Sequence, residues 1–296
     1  MINYGIAFKR PVQNWGRFFL NGLVIMFFFI LMLVIVLPLQ FSGLFSSHFL
    51  LSNVPAIIAA FVFMTPFAYF VHCGMTAARN DFKMPGWKGI NLVENGVMLG
   101  IVYIVYAIPL YLITFLVMYL SLGPAFMDDL TSISGASLAE QKTSEYMQKS
   151  QNVMKHMVPM MLIMMPVNLI LGFIWYMLFS VAAFRFYEKQ RLTEAFNLKE
   201  IINTAFNGTY FMALVFSGLI YLGLIAVFML AIILLMITLI GIVLIPYALA
   251  LFIYYIGVLL FTIIGQAYGE VTAAKPTRHA KPNPKKTAKR KKSIKK

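Results

Sequence analysis

A stretch of 69 residues, from Ile201 to Gly269, contains no Asp, Glu, Lys or Arg. A helix needs about 20 apolar residues to cross the hydrocarbon core of a bilayer, so this stretch is too long for one span and suits two helices joined by a tight hairpin. Because glycine is frequent at helix ends, we expect the break at residues 238–241. In the whole chain 61% of residues are hydrophobic and 11% are charged, which excludes a water-soluble enzyme, a disordered chain and a disulfide scaffold.

Four further apolar runs earlier in the chain have the length of a membrane span. Together with the long stretch they predict an all-α integral membrane protein of six transmembrane helices, arranged as three hairpins. The expected membrane domain covers residues 18–268, with spans near 18–39, 54–73, 97–122, 158–184, 209–237 and 242–267. The first run is longer than the core of a signal peptide, so we expect it to be retained as a helix.

Basic residues are concentrated on one side of this predicted topology. The N-terminus, the segments after the second and fourth spans, and the C-terminal tail together hold 21 of the 24 Lys and Arg residues. Cytoplasmic segments of membrane proteins are enriched in Lys and Arg. We therefore expect both termini to lie in the cytoplasm.

Each predicted hairpin follows a segment with a related pattern. The first two segments contain Phe-Lys-x-Pro, then a Trp, and then Asn-Gly thirteen residues after the Phe; the third keeps only the Phe and the Asn-Gly. Pro suits the first turn of a short helix, and Trp suits the membrane interface. The pattern predicts an internal repeat in which an interfacial amphipathic helix precedes each hairpin, the first within residues 1–17. The expected anchors are Phe8, Pro11, Trp15, Phe82, Pro85, Trp87 and Phe196.

The third of these segments, residues 186–206, has two interpretations. An interfacial helix would carry its apolar side chains on one face, and an ordinary solvated helical loop is the alternative. The side chains that would share the face are Leu192, Ala195, Phe196, Ile202, Ala205 and Phe206.

Three motifs resemble those of a domain-of-unknown-function family of prokaryotic, largely archaeal, polytopic membrane proteins. They are the opening at residues 7–15, the Met-Pro-Gly-Trp segment at residues 84–87 and the ending at residues 260–268. The chain departs from the family pattern at Asn14, Met84 and Gly86, where Asp, Leu and an acidic residue are usual. The resemblance covers roughly residues 4–270. It implies the six-span topology and a prokaryotic plasma membrane, and it implies no chemistry, because the family has no assigned activity.

No catalytic or metal-binding motif stands out in the chain. The four histidines are scattered, and the predicted spans contain no Asp, Glu, Lys or Arg. We therefore expect a non-enzymatic protein with no catalytic, cofactor or metal site. A possible intramembrane polar site remains at His72, Asn168 and Gln266. His72 either titrates in a cavity or is a hydrogen-bonded structural residue, and Asn168 either joins helices or contacts a ligand.

Two further features are the outer segment between two predicted spans and the single cysteine. The outer segment 123–157 is expected to be a loop, and its acidic residues are either solvated or bind a cation. These acidic residues are Asp128, Asp129, Glu140 and Glu145. Cys73, the one cysteine, is expected to be a small buried apolar residue.

The C-terminal tail, residues 269–296, carries most of the excess positive charge, with +10 of the chain's +14 in residues 270–296. It is rich in Lys and Pro, and we expect it to be disordered in the cytoplasm. Its basic cluster either binds anionic lipid headgroups, binds nucleic acid, or only fixes the topology. The cluster consists of Lys285, Lys286, Lys289, Arg290, Lys291, Lys292, Lys295 and Lys296.

The sequence thus favours an organising or tethering membrane protein that acts through its basic tail. The alternative is a transporter or channel for a small or lipid-like solute. A cavity lined by His72 or Asn168 would favour that alternative.

Overall fold

The computed structural model describes residues 2–41, 49–87, 89–135 and 144–273, and every regular element within these ranges is helical. The chain opens with α1 (Tyr4–Lys9) and the short 3₁₀ helix η1 (Arg10–Val12). The next elements are α2 (Trp15–Phe41), α3 (Phe49–Ala78), α4 (Gly89–Gly135), α5 (Ser144–Lys189), the 3₁₀ helix η2 (Leu192–Phe196), α6 (Leu198–Ala205), α7 (Gly208–Met236) and α8 (Leu239–Ala273).

Four helical segments in the described residues are long and apolar enough to cross a membrane. They are Asn91–Val117, Met164–Lys189, Gly208–Met236 and Val243–Ala273. The α1–η1 segment and the first part of α2 meet at a bend of 75° and give a fifth candidate if they count as one span. The expectation of an all-helical chain is confirmed, and these apolar helices fit an integral membrane protein.

The tightly packed core lies at one end of the helix bundle. Its buried side chains are gathered where α3, α5 and α8 end and where α2, α4 and α7 begin. We call this region the packed end. At the opposite end, apolar side chains of α4, α5 and α7 such as Leu120, Leu162 and Leu234 are more than two thirds exposed. Side chains exposed in this way on apolar helices suit contact with lipid.

Helices α3 and α8 cross with their backbones in contact. A Cβ atom on Gly265 of α8 would clash with the carbonyl group of Gly74 in α3. Small residues at such a crossing let two helices approach closely, which is how membrane helices gain packing energy. This crossing lies at the centre of the packed end.

The long charge-free stretch breaks between α7 and α8, at Ile237 and Thr238. The hydroxyl group of Thr238 accepts a hydrogen bond of 2.9 Å from the backbone N–H of Gly241 and so caps the start of α8. The break therefore overlaps the predicted residues 238–241 at Thr238, whose side chain caps α8.

The predicted loop at residues 123–157 is wrong. Helix α4 continues to Gly135 and α5 begins at Ser144, so Asp128 and Asp129 lie in α4 and Glu145 in α5. Glu140 lies outside the described residues. The error has a physical cause, because hydropathy marks where a helix leaves the apolar layer, whereas its backbone hydrogen bonds can continue into water.

The prediction of three similar short helices is also wrong in part. The first segment forms α1 and η1, but residues 81–87 of the second form no helix, and its Asn-Gly pair lies inside α4. The third segment forms η2 and α6, separated by Asn197. This break changes the helical register, so Ala195 and Ala205 are buried whereas Ile202 and Phe206 are exposed.

Helix α8 continues beyond the predicted end of the membrane domain. Residues 269–273, assigned to the tail from the sequence, are helical. The predicted basic cluster of the tail, Lys285 to Lys296, lies outside the described residues.

Candidate functional site

Arg10 is fully buried at the packed end, although it belongs to the basic N-terminal segment. Its Nη1 donates to the carbonyl oxygen of Cys73 (2.7 Å) and to Oγ1 of Thr262 (3.0 Å). Its Nη2 donates to Oγ1 of Thr76 (2.5 Å) and to two carbonyl oxygens of the segment after α3 (3.3 and 3.1 Å). The planar guanidinium group suits several acceptors at once. Arg10 thereby joins η1 to α3, α8 and the segment between α3 and α4.

An aromatic cluster holds that same segment against α2 and α8. The rings of Trp87 and Tyr69 stack with centroids 4.3 Å apart. The indole N–H of Trp87 donates to Oδ1 of Asn21 (2.8 Å), whose Nδ2 donates to the hydroxyl group of Tyr254 (2.8 Å). The hydroxyl group of Tyr69 donates to the carbonyl oxygen of Pro85 (3.1 Å). Residues 81–87 are therefore held from both sides without forming a helix.

The second Asn-Gly pair makes a contact like that of the first. A Cβ atom on Gly22 would meet α8, and one on Gly96 would meet the backbone of α3. In both pairs the Gly permits the close approach of a neighbouring helix, and the Asn of the first pair binds Tyr254 of α8.

A cleft of about 300 Å³ opens at the packed end between α3, α4 and α5. We call it the packed-end cleft. Its lining contains one basic residue, one acidic residue, three amide side chains, one imidazole and two hydroxyl groups, in addition to apolar residues. These polar groups belong to His72, Thr76, Arg79, Asn91, Asn95, Tyr187, Glu188 and Gln190.

The acidic wall of the cleft is fixed by neighbouring side chains. Oε2 of Glu188 accepts a hydrogen bond of 2.6 Å from the hydroxyl group of Tyr268, and its Oε1 lies 3.6 Å from Nζ of Lys189. The ring of His72 lies 6.0 Å from that of Tyr187. Because Tyr268 belongs to α8, this wall depends on the packing of three helices.

Two helix ends lie at the cleft. Asn80 follows α3 with φ of 59°, and Gln190 follows α5 with φ of 53°. Asn tolerates this left-handed conformation, whereas Gln adopts it at a cost of about 1–2 kcal/mol. Nε2 of Gln190 donates to the carbonyl oxygen of Tyr187 (2.9 Å), which satisfies one carbonyl of the last turn. The two reversals place Arg79 and Gln190 in the lining of the cleft.

An ion cluster around the buried Arg185 fixes the segment after α5. Nη2 of Arg185 lies 2.6 Å from Oε2 of Glu194, and Nη1 pairs with Oε2 of Glu200. Nε of Arg185 donates to the carbonyl oxygen of Glu194 (3.3 Å). This cluster connects α5 to both η2 and α6.

The predicted intramembrane polar residues lie in three different environments. His72 lines the packed-end cleft. Asn168 accepts a hydrogen bond of 3.1 Å from the hydroxyl group of Thr114, which joins α4 to α5 on an exposed surface. Gln266 is buried, and its Oε1 accepts from the backbone N–H of Asn3 (2.7 Å). Of the three, only His72 belongs to the cleft.

The predicted interfacial anchors differ in exposure. Phe8 and Trp15 are exposed, and Trp15 is 61% exposed. The others are buried or half-buried: Pro11, Phe82, Pro85, Trp87 and Phe196. The indole N–H of Trp87 is bound to Asn21 of α2. Phe196 packs on Tyr106, with centroids 6.3 Å apart.

Sequence reasoning missed the buried role of Arg10 and assigned it only to the basic N-terminus. One signal was available, because the second Phe-Lys-x-Pro motif has Met84 at the position where the first has Arg10. An apolar residue of similar length at this position indicates a buried site. Arg185 was missed in the same way, since a positive charge next to an apolar run resembles an ordinary cytoplasmic charge.

Metal and thiol chemistry have few candidates in the part of the chain that the structure describes. No group of three or more His, Cys, Asp or Glu residues there could hold a metal ion. Cys73 is buried and free.

Comparison with known proteins gives one match. Residues 51–237, more than half of the chain, match a family described as protein of unknown function (DUF4013). The match confirms the resemblance to a domain-of-unknown-function family, although it does not include the opening and ending motifs that suggested it. No curated protein and no solved structure matches the chain.

Proposed function

The chain belongs to the DUF4013 family of proteins of unknown function, and we propose that it is a multi-pass membrane protein that binds a small polar solute in the packed-end cleft. The observation that carries this proposal is the cleft itself, with His72, Arg79, Glu188 and three amides in its lining. Transporters and channels are membrane proteins that bind small solutes in sites of this kind. Because of the cleft, we favour solute binding over the tethering role that the sequence favours.

The proposed topology has six spans, with both termini in the cytoplasm of a prokaryotic cell and the packed end facing it. Contacts at the packed end support this orientation, because they bring the basic segments together. Arg10 binds the segment after α3, Asn3 binds Gln266, and Tyr268 binds Glu188. Four basic segments at one end of a membrane protein are expected on the cytoplasmic side.

The size and chemistry of the cleft define the class of solute. A volume of about 300 Å³ equals that of roughly ten water molecules, which suits a small metabolite. Arg79 attracts a negative group, Glu188 attracts a positive one, and the amides of Asn91 and Asn95 can donate and accept. We therefore propose a zwitterionic solute or a small polar solute rich in hydrogen-bonding groups.

We propose binding or transport rather than catalysis. Among the residues that line the cleft, Thr76 has an aliphatic hydroxyl group, which accepts from Arg10 and donates to the carbonyl oxygen of Cys73 (2.9 Å). A nucleophilic hydroxyl needs an adjacent base to take its proton, and this one is committed to structural hydrogen bonds.

Native mass spectrometry of the full-length protein tests the proposal. We expect a stoichiometric low-mass solute to remain bound after purification. Asn91→Trp should fill the cleft and remove the solute, whereas Val97→Trp, elsewhere on α4, should retain it. Absence of any solute from the wild type, or equal retention by Asn91→Trp, would contradict the proposal.

A second candidate function rests on the charge of the C-terminal tail. Residues 270–296 carry a net charge of +10, which suits anionic lipid headgroups or nucleic acid. The protein would then organise or tether material at the membrane. Deletion of residues 274–296 separates the two functions, because a cleft-bound solute should survive the deletion, whereas anionic lipid or nucleic acid held by the tail should be lost with it.

A further inference from the structure

A second cavity lies between α4 and α5 and is almost wholly apolar. Its volume is about 400 Å³, and η2 and α6 close one end of it. We call it the α4–α5 groove. Val105 and Pro109 of α4 line it on one side, and Trp175 and Leu178 of α5 on the other. Ligand sites in proteins are concave, apolar and of this size.

Trp175, one of the residues that line the groove, carries a polar atom without a partner in the described part of the chain. Nε1 of Trp175 is buried and has no hydrogen-bond partner among the residues that the structure describes. The ring is held by Tyr103 and Phe179, with centroids 5.1 Å away in both cases. A buried unpaired N–H costs about 1–3 kcal/mol, so an acceptor supplied from outside the chain would be stabilised there.

The closed end of the groove adjoins basic and exposed apolar residues. Phe196 and Leu198 line the groove, and the hydroxyl group of Tyr106 donates to the carbonyl oxygen of Ala195 (2.8 Å), which fixes η2 beside α4. Lys199 follows Leu198 directly and is exposed, as is Arg191 at the start of η2.

The outer side of α6 continues the apolar surface away from the groove. Leu198, Ile202 and Phe206 recur every four residues and are 56%, 45% and 59% exposed. Residues with this spacing share one side of a helix. An apolar groove therefore ends at a short helix that combines exposed apolar side chains with the exposed Lys199, as at the boundary between acyl chains and headgroups. The carboxylate of Glu200 on the same helix is paired with Arg185.

We propose that the α4–α5 groove binds one acyl chain of an anionic phospholipid. The acyl chain lies along Val105 and Leu178. An ester oxygen of the lipid accepts a hydrogen bond from the indole N–H of Trp175, and the lipid phosphate lies near Lys199. The positive charges of Arg191 and Lys199 at the η2–α6 end of the groove commit the site to an anionic headgroup. This inference is independent of the solute cleft, because the two cavities have no lining residue in common.

The test uses the full-length protein in detergent with palmitoyl-oleoyl phosphatidylglycerol or phosphatidylcholine, and measures bound lipid by native mass spectrometry. The wild type should retain one phosphatidylglycerol. Val105→Trp should reduce this occupancy at least about tenfold, since the loss of contact with two methylene groups already has that effect. Leu222→Trp, on the exposed side of α7, is the matched control and should retain the lipid.

Two smaller changes test the polar contacts without filling the groove. Trp175→Phe keeps the ring and should weaken retention about fivefold through the lost hydrogen bond. Lys199→Gln should reduce the preference for phosphatidylglycerol, whereas Lys155→Gln, an exposed residue near the opposite end of α5, should not. Equal lipid retention by Val105→Trp and the wild type, or equal retention of the two lipids by the wild type, would overturn the proposal. Loss of the cleft solute in Asn91→Trp with lipid still bound would show that the two sites fail independently.

Discussion

Replacing Arg10 by Met tests whether this one side chain holds the packed end together. The substitution introduces an apolar side chain of similar length at the position where the second Phe-Lys-x-Pro motif has Met84. It removes the guanidinium group and with it five hydrogen bonds to residues of α3, α8 and the segment after α3. We expect the variant to fold with a loosened packed end.

The magnitude follows from the burial of these hydrogen bonds. Those to Cys73 and Thr262 are buried, and the other three are partly buried. A hydrogen bond to a charged group contributes about 1.5–3 kcal/mol, so the two buried bonds contribute about 3–6 kcal/mol. The substitution also removes the free-energy cost of burying a cation, and this gain offsets part of the loss of hydrogen bonds. We expect a net loss of about 3 kcal/mol in the free energy of unfolding.

Thermal unfolding of the purified protein in detergent, followed by intrinsic fluorescence, measures this loss. At about 2–4 °C per kcal/mol, Arg10→Met should lower the midpoint by roughly 6–12 °C. Lys9→Met is the matched control, because Lys9 is exposed on α1, and it should shift the midpoint by less than about 2 °C. Equal midpoints for the two variants would refute the role assigned to Arg10.

Two further predictions concern the packed end, and the same thermal assay checks both. Gly265→Ala should lower the free energy of unfolding by about 1–3 kcal/mol, because its Cβ clashes with the backbone of α3. Gly218→Ala, with open space around it, should raise it by up to about 1 kcal/mol through helix propensity. A stabilising effect of Gly265→Ala would contradict the close crossing of α3 and α8. Trp87→Phe should cost about 1 kcal/mol, since it preserves the stack but leaves Oδ1 of Asn21 without this donor; an unchanged midpoint would indicate that water replaces the indole N–H.

Hydropathy and charge predicted the helical class and the position of the break before α8, because both follow from local sequence. A charge-free stretch longer than one span requires a reversal, and Thr238 with Gly241 supplies the residues for it. The sequence did not predict the true lengths of α4 and α5, because helix hydrogen bonds persist beyond the apolar layer. The missing second short helix did not follow either, because Trp87 is held by Asn21 of another helix, a contact between residues far apart in sequence.

The candidate site was less accessible to sequence reasoning. His72 was identified because a polar residue in an apolar run is unusual, and it does line the cleft. Its companions Arg79, Glu188 and Gln190 resemble ordinary charged or polar loop residues in the sequence. They meet only because α3 and α5 end at the same level of the bundle, and the level of a helix end is set by tertiary packing.

The accessibility of the cleft tests the central claim most directly. Cys73 is buried, so a single Asn91→Cys substitution provides a reactive thiol in the cleft against a low background. Gln148→Cys, at an exposed position near the start of α5, is its partner for the opposite side of the membrane. A membrane-impermeant maleimide should label Asn91→Cys in inverted membrane vesicles and not in intact cells, and it should label Gln148→Cys in intact cells. Labelling of Asn91→Cys in intact cells would contradict a cleft that opens to the cytoplasm.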